Sequence, residues 1–470
     1  MKYLPEGWRP WAHQTEFFEH FKDKREAGIF LEMGMGKTEL SINLAAYKLD
    51  KGEIDFVVVF SLLSSIDLVW EAALARCKAP GRTINVTSKS GPAAQSKLLD
   101  VPAQWYLVNY EMATRHVDQL ATKLRHGRGM IICDESTQIK NAMAQRSRAL
   151  AKLGKLAAAR AILTGTPTPQ GPQDIFGQYL FLEPYLFGTS FMAFRAQFIR
   201  MGGYEGKQML GLFPSQEAAY NTLIYRVAKR KTKLECMDLP PKVYEMRAFS
   251  LSKEEAIAYQ QMAAEWVLEV KSGAIAASNG VVKSMRMAQI CTGYVGTDDE
   301  EGVMAELGDS KLKALADLVE ELDGKFIVWC RWLKNVRDVR KKLAAMGIES
   351  VQFDGTVDQE ERNENVKRFL GDPAVRAFVG TGASGSMSLN LQSPEVKTVI
   401  YFSQGYSVMQ RQQSEDRAWR GEIKHQVTVI DLVAKGTVEA AIVKALRAGK
   451  EMQEYLLQNP EKFIQGEMEV

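Results

Sequence analysis

Residues 31–38 carry the residue types of a loop that binds nucleotide phosphates. They read Leu-Glu-Met-Gly-Met-Gly-Lys-Thr and lie between an apolar run at 28–30 and a helix-like pattern that begins at Leu40. The order of strand, glycine loop and helix is the context that a phosphate-binding loop requires. Gly34 and Gly36 let backbone N–H groups turn inward without a Cβ in the way, and such groups at a helix N-terminus attract phosphate.

Two side chains at the end of this loop are predicted to act on the phosphates of ATP. Lys37 would reach the β- and γ-phosphates, and the Thr38 hydroxyl would bind Mg²⁺. Met35 and Glu39 complete the predicted nucleotide-binding set. The full motif has glycine where this chain has Leu31, so the alternative is a glycine-rich helix start with an exposed lysine.

A second chemical signal is a pair of carboxylates at the end of an apolar run. Residues 130–133 are Met-Ile-Ile-Cys, and Asp134 and Glu135 follow directly. Asp134 is predicted to bind Mg²⁺, and Glu135 is predicted to polarise the attacking water. Two adjacent carboxylates at a buried strand end repel each other, so a cation nearby is the natural remedy. The alternative is a solvated acidic turn.

Three other polar side chains occupy places where a ligand is expected. Gln14 lies beside tryptophans near the start of the chain, and its amide suits an adenine edge. Ser61 follows the apolar run 56–60, where a hydroxyl suits a nucleic-acid phosphate. Thr166 lies in a small-residue turn after another apolar run. The alternatives are a surface glutamine, a helix cap and an ordinary β-turn.

Regularly spaced apolar runs predict the strands that position these residues. Unbroken β-branched and aromatic runs are typical of parallel strands that are buried on both faces. Helical patterns separate the runs, which predicts an α/β fold with a second parallel sheet in the second half of the chain. The predicted strands are 28–30, 56–60, 105–109, 130–134, 161–164, 326–330, 350–353, 375–379, 398–402 and 427–432.

The composition limits the class of protein. The chain has 470 residues, 46% of them hydrophobic and 25% charged, which is typical of a globular protein of two or three domains. No apolar run reaches the ~18 residues that a membrane helix needs. The five cysteines are far apart and form no CxxC pair, which disfavours a zinc site and predicts a cytoplasmic protein. The net charge of +3 does not itself indicate nucleic acid, so any DNA-binding surface has to be a local patch.

A series of motifs, taken in order, resembles the Snf2-like branch of superfamily 2 helicases and translocases. The matching segments are Gln14, Glu-Met-Gly-Met-Gly-Lys-Thr (32–38), Asn-Tyr-Glu (109–111), Asp-Glu-Ser-Thr-Gln-Ile-Lys-Asn (134–141) and Leu-Thr-Gly-Thr-Pro-Thr-Pro-Gln (163–170). Family members usually have Asp-Glu-Ala-His where this chain has Asp-Glu-Ser-Thr. The resemblance implies two RecA-like parallel-sheet lobes in tandem with small helical insertions.

The resemblance also sets the expected domain limits. Lobe 1 is expected at 1–235, with a helical extension at about 171–224. Lobe 2 is expected at 236–470, with a helical insertion at about 253–310. The basic stretch 226–233 precedes the boundary, and it is interpreted either as a DNA phosphate contact or as a solvated helix face.

The second half contains two more segments that resemble family motifs. Residues 380–391 keep the family's Leu-Asn-Leu end, and the hydroxyls of Thr381 and Ser384 are predicted to bond nucleic-acid phosphate. Arg417 and Arg420 lie three residues apart, so on a helix they share one face. They are predicted to stabilise the γ-phosphate charge in the transition state, a role worth ~10³–10⁵ in rate in related reactions.

The predicted function is an ATP-driven DNA translocase or helicase that hydrolyses one nucleotide in the cleft between its lobes. The family resemblance implies backbone contacts to duplex or branched DNA without sequence readout, with Asn109 and Tyr110 among the contacting residues. Branch migration is the expected activity, and a bacterial or phage-infected cell is the expected setting. The sequence does not identify protein partners. The alternatives are a motor on RNA or on an RNA polymerase complex, a motor subunit of a nuclease system, and an ATP-regulated scaffold.

Overall fold

A computed structural model describes most of the chain. The described residues are 1–89, 91–202, 208–271, 277–296, 303–382, 391–419, 423–449 and 460–466. The chain divides into two compact units, Met1–Asp238 and Leu239–Val470, which are called lobe 1 and lobe 2 below. In the described part of the chain, no helix is both long enough and apolar enough to cross a membrane.

Lobe 1 is built on a seven-stranded parallel sheet in the order β3-β4-β2-β5-β6-β1-β9. These strands are β1 (Glu26–Leu31), β2 (Phe56–Ser61), β3 (Thr83–Asn85), β4 (Trp105–Asn109), β5 (Gly129–Asp134), β6 (Ala159–Thr164) and β9 (Ala228–Lys231). A separate antiparallel ribbon pairs β7 (Ile199–Gly202) with β8 (Gln208–Leu212).

Helices cover both faces of this sheet, because successive strand residues point alternately into two apolar clusters. The helices of lobe 1 are α1 (Ala12–Phe21), α2 (Lys37–Asp50), α3 (Leu63–Ser65), α4 (Ala72–Arg76), α5 (Pro92–Asp100), α6 (Tyr110–Arg115), α7 (Val117–His126), α8 (Gln145–Gly154), α9 (Asp174–Leu182), α10 (Phe191–Phe198), α11 (Glu217–Tyr225) and α12 (Lys233–Cys236). A π-helical turn, Ile66–Glu71, joins α3 to α4.

Lobe 2 has a six-stranded parallel sheet in the order β10-β17-β16-β13-β15-β14. Its strands are β10 (Val243–Phe249), β13 (Lys325–Cys330), β14 (Glu349–Phe353), β15 (Val375–Thr381), β16 (Val396–Tyr401) and β17 (Thr428–Ala434), and a ribbon pairs β11 (Tyr294–Gly296) with β12 (Val303–Glu306). Its helices are α13 (Lys253–Lys271), α14 (Ala277–Ile290), α15 (Ser310–Glu320), α16 (Leu333–Ala345), α17 (Gln359–Gly371), α18 (Val408–Glu415), α19 (Val438–Arg447) and α20 (Pro460–Ile464).

The α/β prediction with two parallel sheets is confirmed, and the differences lie at the sheet edges. The basic stretch 226–233 is not a helix face, because four of its residues form β9 at the edge of the first sheet. On this strand Lys229 and Lys231 both form ion pairs with Glu16 of α1. The edge strand β10 of lobe 2 was not predicted, and the region 171–224 contains a ribbon besides its helices.

Candidate nucleotide site and arginine segment

The phosphate loop in lobe 1 connects the end of β1 to the start of α2. Gly34 and Gly36 have φ values of 81° and 71°, in the left-handed region that favours glycine. A Cβ on Gly36 would also collide with the side-chain amide of Gln14. The loop therefore requires glycine at position 36 for two independent reasons.

Two neighbouring side chains of α1 bind the backbone of this loop. Gln14 is fully buried; its Oε1 accepts from the Trp11 N–H at 2.9 Å, and its Nε2 donates to the Gly36 carbonyl at 3.1 Å. His13 Nε2 lies 3.0 Å from the Met35 carbonyl, and burial lowers the pKa of this imidazole. Gln14 thus contacts the predicted nucleotide loop itself, and His13 is a contact that sequence reasoning missed.

The predicted phosphate-binding lysine lies across its own loop. Lys37 Nζ donates to the carbonyls of Leu31 at 2.8 Å and Glu32 at 3.2 Å. The Met35 N–H donates to the Glu32 carbonyl at 3.3 Å. These contacts hold the Lys37 ammonium group and the Glu32–Met35 turn in the loop that the sequence predicts to bind the phosphates. Thr38 follows in the first turn of α2 and is partly exposed.

Glu39, the last residue of the predicted nucleotide-binding set, has a protein partner. Its Oε1 lies 3.3 Å from a guanidinium nitrogen of Arg76, on the helix that follows β2. Its carbonyl also accepts from the Asn43 side chain at 2.9 Å. The structure therefore places Glu39 on the outer surface of α2, beside a neighbouring helix.

Asp134, at the end of β5, is held by neutral donors. Its Oδ2 accepts from Ser61 Oγ at 3.0 Å and from Trp70 Nε1 at 2.8 Å. Its Oδ1 accepts from the Glu135 N–H at 3.1 Å. Hydrogen bonds from neutral groups fix the orientation of a carboxylate without neutralising its charge, so Asp134 keeps the charge that a metal ligand needs.

Two residues predicted to contact nucleic acid are instead buried around this carboxylate. Ser61 is fully buried and donates to Asp134, so its hydroxyl is not open to DNA. Tyr110 is also buried, and its hydroxyl donates to the Asp134 carbonyl at 2.5 Å. Ser61 ends β2, which pairs with β5, and Tyr110 follows β4, which pairs with β2. The sequence pattern thus indicates the correct edge of the sheet, and the DNA contacts of both residues stay a prediction.

The other predicted nucleic-acid contacts of lobe 1 are less enclosed. The Asn109 side chain caps α6 by accepting from the Met112 N–H at 3.2 Å. The Thr166 N–H donates to Thr164 Oγ1 at 3.2 Å, and Thr166 remains partly exposed. These two residues keep an accessible position at the carboxyl edge of the sheet.

Glu135 has a left-handed backbone, with φ 48° and ψ 57°. Among the described residues only Glu135 and Lys78 combine a side chain with a positive φ. Such a conformation costs of order 1–3 kcal/mol and concentrates at functional sites. The chain therefore turns sharply directly after Asp134.

Thr38 and Asp134 supply a hydroxyl and a carboxylate oxygen, the type of donor that Mg²⁺ prefers. In the described part of the chain no three His, Cys, Asp or Glu side chains cluster as a metal cage. Mg²⁺ in nucleotide sites is held by one or two protein oxygens, substrate phosphates and water, not by such a cage. The buried Asp134 carboxylate supplies an oxygen of this kind.

In lobe 2 the arginine segment follows α18. Arg417 is almost fully buried, and its carbonyl accepts from the Leu391 N–H at 3.2 Å. Thr381 ends β15 and is mostly buried. The predicted sites Arg420 and Ser384 lie outside the described residues.

A network of buried charges stands directly before Arg417. Arg411 on α18 bonds both oxygens of Asp431 at 2.6 and 3.1 Å and donates to Glu415 at 2.7 Å. Arg447 also donates to Asp431, at 2.6 Å. The burial of Arg411 works against its charge, but the carboxylates outweigh this and raise its pKa. The network rigidifies the helix that leads to the arginine segment.

Two models of known protein families match the chain. The SNF2-related domain matches residues 13–295, and the helicase conserved C-terminal domain matches residues 310–422. The chain belongs to the SNF2-related family. It is accordingly an ATPase of the Snf2 type, and the family resemblance inferred from the motif series is confirmed.

Relatives of this Snf2-family chain are distant in sequence. Putative protein p41 of Acyrthosiphon pisum secondary endosymbiont phage 1 is 24% identical over 96% of this chain and 98% of its own length. The DNA annealing helicase and endonuclease ZRANB3 of Bos taurus is 24% identical over 93% of this chain, which spans only 39% of that protein. The Sulfolobus solfataricus SWI2/SNF2 ATPase core, solved with dsDNA, is 19% identical and covers 100% of this chain and 99% of its own, with a TM-score of 0.46.

Proposed function

We propose that the chain is an ATP-driven DNA translocase or helicase. The observation that carries the proposal is Asp134, a buried strand-end carboxylate that accepts hydrogen bonds from neutral donors and is followed by Glu135 in a strained backbone conformation. The Asp134 carboxylate serves as a metal ligand, and Glu135, directly after it, has a different task, which is to orient the attacking water.

The proposed division of roles in hydrolysis follows the geometry. Lys37 binds the phosphates after leaving the loop carbonyls to which it now donates. Thr38 and Asp134 hold Mg²⁺, which when bound neutralises the developing phosphate charge. Glu135 accepts a hydrogen bond from the attacking water and orients it. Arg417 and Arg420 of lobe 2 are proposed to bind the γ-phosphate charge in the transition state.

DNA is the proposed track, gripped through its backbone and without sequence readout. Family membership and the similarity to an annealing helicase support this part of the proposal. The candidates are Asn109 and Thr166 in lobe 1, which are partly exposed, and Thr381 in lobe 2, which is mostly buried; the fourth, Ser384, lies outside the described residues. Ser61 and Tyr110 are buried in the described structure, so their proposed DNA contacts require an opening at the ends of β2 and β4.

The finer part of the proposal is that the DNA is forked or branched, in the cytoplasm of a bacterial or phage-infected cell. The similarity to a phage protein and to ZRANB3 supports it. Unwinding of three-way and four-way junctions, read on gels, tests it directly. Good ATPase activity with no product from either junction would reject branch migration and leave translocation as the function.

Steady-state ATPase measurements test the main proposal. Rates are compared without nucleic acid and with single-stranded DNA, duplex DNA, a branched junction and RNA, beside a Glu135→Gln control. We expect strong stimulation by one DNA form and its loss in the control. Stimulation by RNA alone would show that RNA, and not DNA, is the track. A flat response to every nucleic acid would reject the proposal of a nucleic-acid motor.

A further inference from the structure

The arginine segment of lobe 2 is bound to the segment through which the chain enters that lobe. We define the entry segment as residues 239–244, between the end of lobe 1 and the first residues of β10. Lys242 Nζ lies 3.0 Å from Glu415 Oε2 and 3.1 Å from Asp416 Oδ1, the two residues that directly precede Arg417. The two carboxylates that directly precede Arg417 are thus bound to one lysine.

A second pair of residues makes the same connection. Trp419 Nε1 donates to the Pro240 carbonyl at 2.8 Å, and the Lys242 ammonium lies 4.7 Å from the centre of the Trp419 ring. Arg417 is therefore enclosed on both sides in sequence by residues that bind the entry segment. Contacts before and after a residue fix its backbone more firmly than either contact alone.

The ion pairs between Lys242 and the two carboxylates are mostly buried, so water screens them little. The Lys242 side chain is only 12% exposed, and the carboxylates of Asp416 and Glu415 outweigh its burial and raise its pKa. Tyr244, the next residue but one, donates its hydroxyl to Glu415 at 2.8 Å, and burial raises its pKa to about 12. Lys242 thus stays charged across the whole pH range in which an enzyme works.

Near the end of lobe 1 the chain is bound to the phosphate loop. The Lys233 N–H at the start of α12 donates to Glu32 Oε2 at 3.0 Å, and Glu32 is part of the phosphate loop. The chain is thus bound to the phosphate loop shortly before the end of lobe 1 and to the arginine segment at the start of lobe 2.

We propose that Lys242 and Trp419 are positioning residues for hydrolysis: they hold the arginine segment in register with the entry segment, so that a movement of the chain between the lobes moves Arg417. This inference rests on the proposed role of Arg417. A positioning residue of this kind affects the chemical step and leaves nucleotide binding unchanged, because it touches neither the phosphate loop nor Gln14.

The test is DNA-stimulated ATPase of the full chain carrying Lys242→Met. We expect kcat to fall about tenfold to a hundredfold, as small displacements of catalytic groups do, with KM for ATP within about twofold of wild type. Titration with a fluorescent ADP analogue is expected to give an unchanged Kd. Glu415 keeps Arg411 as its partner in this variant, so the buried network remains paired. Trp419→Phe keeps the ring and loses the bond to Pro240, and a smaller fall is expected.

Lys334→Met is the matched control. Lys334 lies in the same lobe, is 18% exposed on its side chain, and pairs with Glu306 at 3.1 Å and Asp338 at 2.8 Å. It also lies 5.4 Å from the centre of the Tyr294 ring, which repeats the aromatic contact. The same substitution there is expected to leave kcat within about twofold, since among the described residues no contact joins Lys334 to the arginine segment.

Arg417→Ala separates failure of this inference from failure of the proposed function. If Arg417→Ala leaves ATPase unchanged, the proposed role of the arginine is wrong. If it abolishes stimulation while Lys242→Met behaves like Lys334→Met, only the positioning role is wrong. In the double variant we expect Lys242→Met to add no further loss, because it acts through Arg417. An equal loss in both backgrounds would show that Lys242 acts on folding, and would overturn the proposal.

Discussion

Two buried aspartates on central strands, one in each lobe, have opposite surroundings. Asp134 of lobe 1 accepts from a serine, a tryptophan and a backbone amide, all of them neutral. Asp431 of lobe 2 accepts from Arg411, Arg447 and the Gln404 amide. Neutral donors orient a charge, whereas guanidinium groups cancel it. The comparison indicates that the Asp134 carboxylate is available to bind a cationic ligand, whereas the Asp431 carboxylate stabilises lobe 2 through its ion pairs with Arg411 and Arg447.

Replacing Asp134 tests the functional half of this comparison and has the largest expected effect. Asp134→Asn keeps the shape but removes the charge that we assign to Mg²⁺ binding. We expect DNA-stimulated kcat to fall by about 10³ or more, because the metal stabilises the transferred phosphoryl group. The asparagine amide nitrogen cannot accept a hydrogen bond, so one donor loses its partner and urea unfolding is expected to show a loss of about 1–3 kcal/mol. Near-normal ATPase activity would contradict the assignment.

Replacing Asp431 tests the structural half. Asp431→Asn leaves two arginines without their shared carboxylate in the core of lobe 2. Breaking a buried ion pair on one side costs about 3–5 kcal/mol, so we expect a loss of that size in the free energy of unfolding. Urea denaturation measures it. A stable variant with reduced kcat would reverse the contrast between the two aspartates.

The neutral donors of Asp134 give a finer test. Trp70→Phe removes the bond from Nε1 to Oδ2 and keeps most of the buried ring. A hydrogen bond to a charged group contributes about 1.5–3 kcal/mol, so we expect ATPase activity to fall about tenfold through a misplaced carboxylate. The Mg²⁺ concentration for half-maximal activity is the decisive measurement. It is expected to rise in Trp70→Phe and to stay unchanged in Trp105→Phe, which alters a buried indole bonded elsewhere.

The smallest expected effect concerns the edge of the first sheet. Hydrogen bonds from Lys229 and then Lys231 lower the pKa of Glu16 from 4.5 to about 2. A lowered carboxyl pKa stabilises the fold above the unfolded value and ceases to do so as the pH falls through the folded value. Glu16 is 40% exposed, so we expect less than about 1 kcal/mol.

Comparison with Glu16→Gln isolates this contribution. The stability difference between wild type and variant in urea is expected to be full at pH 7 and to shrink as the pH falls from about 4.5 toward 2. A difference that does not change with pH would show that packing, and not charge, joins α1 to β9.

Much of the fold follows from local patterns, because strands buried on both faces leave an unbroken apolar run in the sequence. Phe56–Ser61 and Trp105–Asn109 were predicted within one residue for this reason. β10 was missed because it lies at an edge, and its burial pattern is mostly exposed or intermediate. An edge strand has only one neighbour and one solvated side, and in β10 the charged residues Glu245 and Arg247 interrupt the apolar run.

The candidate site was predictable as a set of elements but not as a set of contacts. Ser61 is placed at the right strand end by its sequence position, yet its bond to Asp134 spans 73 residues. The same holds for Lys242, whose partner Glu415 is 173 residues away. Local sequence patterns report which residues end a strand, whereas the pairing of side chains depends on the order of strands in the sheet. The roles assigned to Lys37, Arg417 and the other site residues stay predictions.

The position of β1 in its sheet has a consequence for biosynthesis. β1 pairs with β6 and with β9, so Glu26 lies beside Arg160 and Gly28 beside Ala228. The strand that carries the phosphate loop is made early by the ribosome but acquires both neighbours only when nearly all of lobe 1 has emerged. Pairings of such long range form late and fold slowly. We expect a chain that ends before β9 to lack the complete sheet around the phosphate loop, so that ATP binding would report the completion of lobe 1.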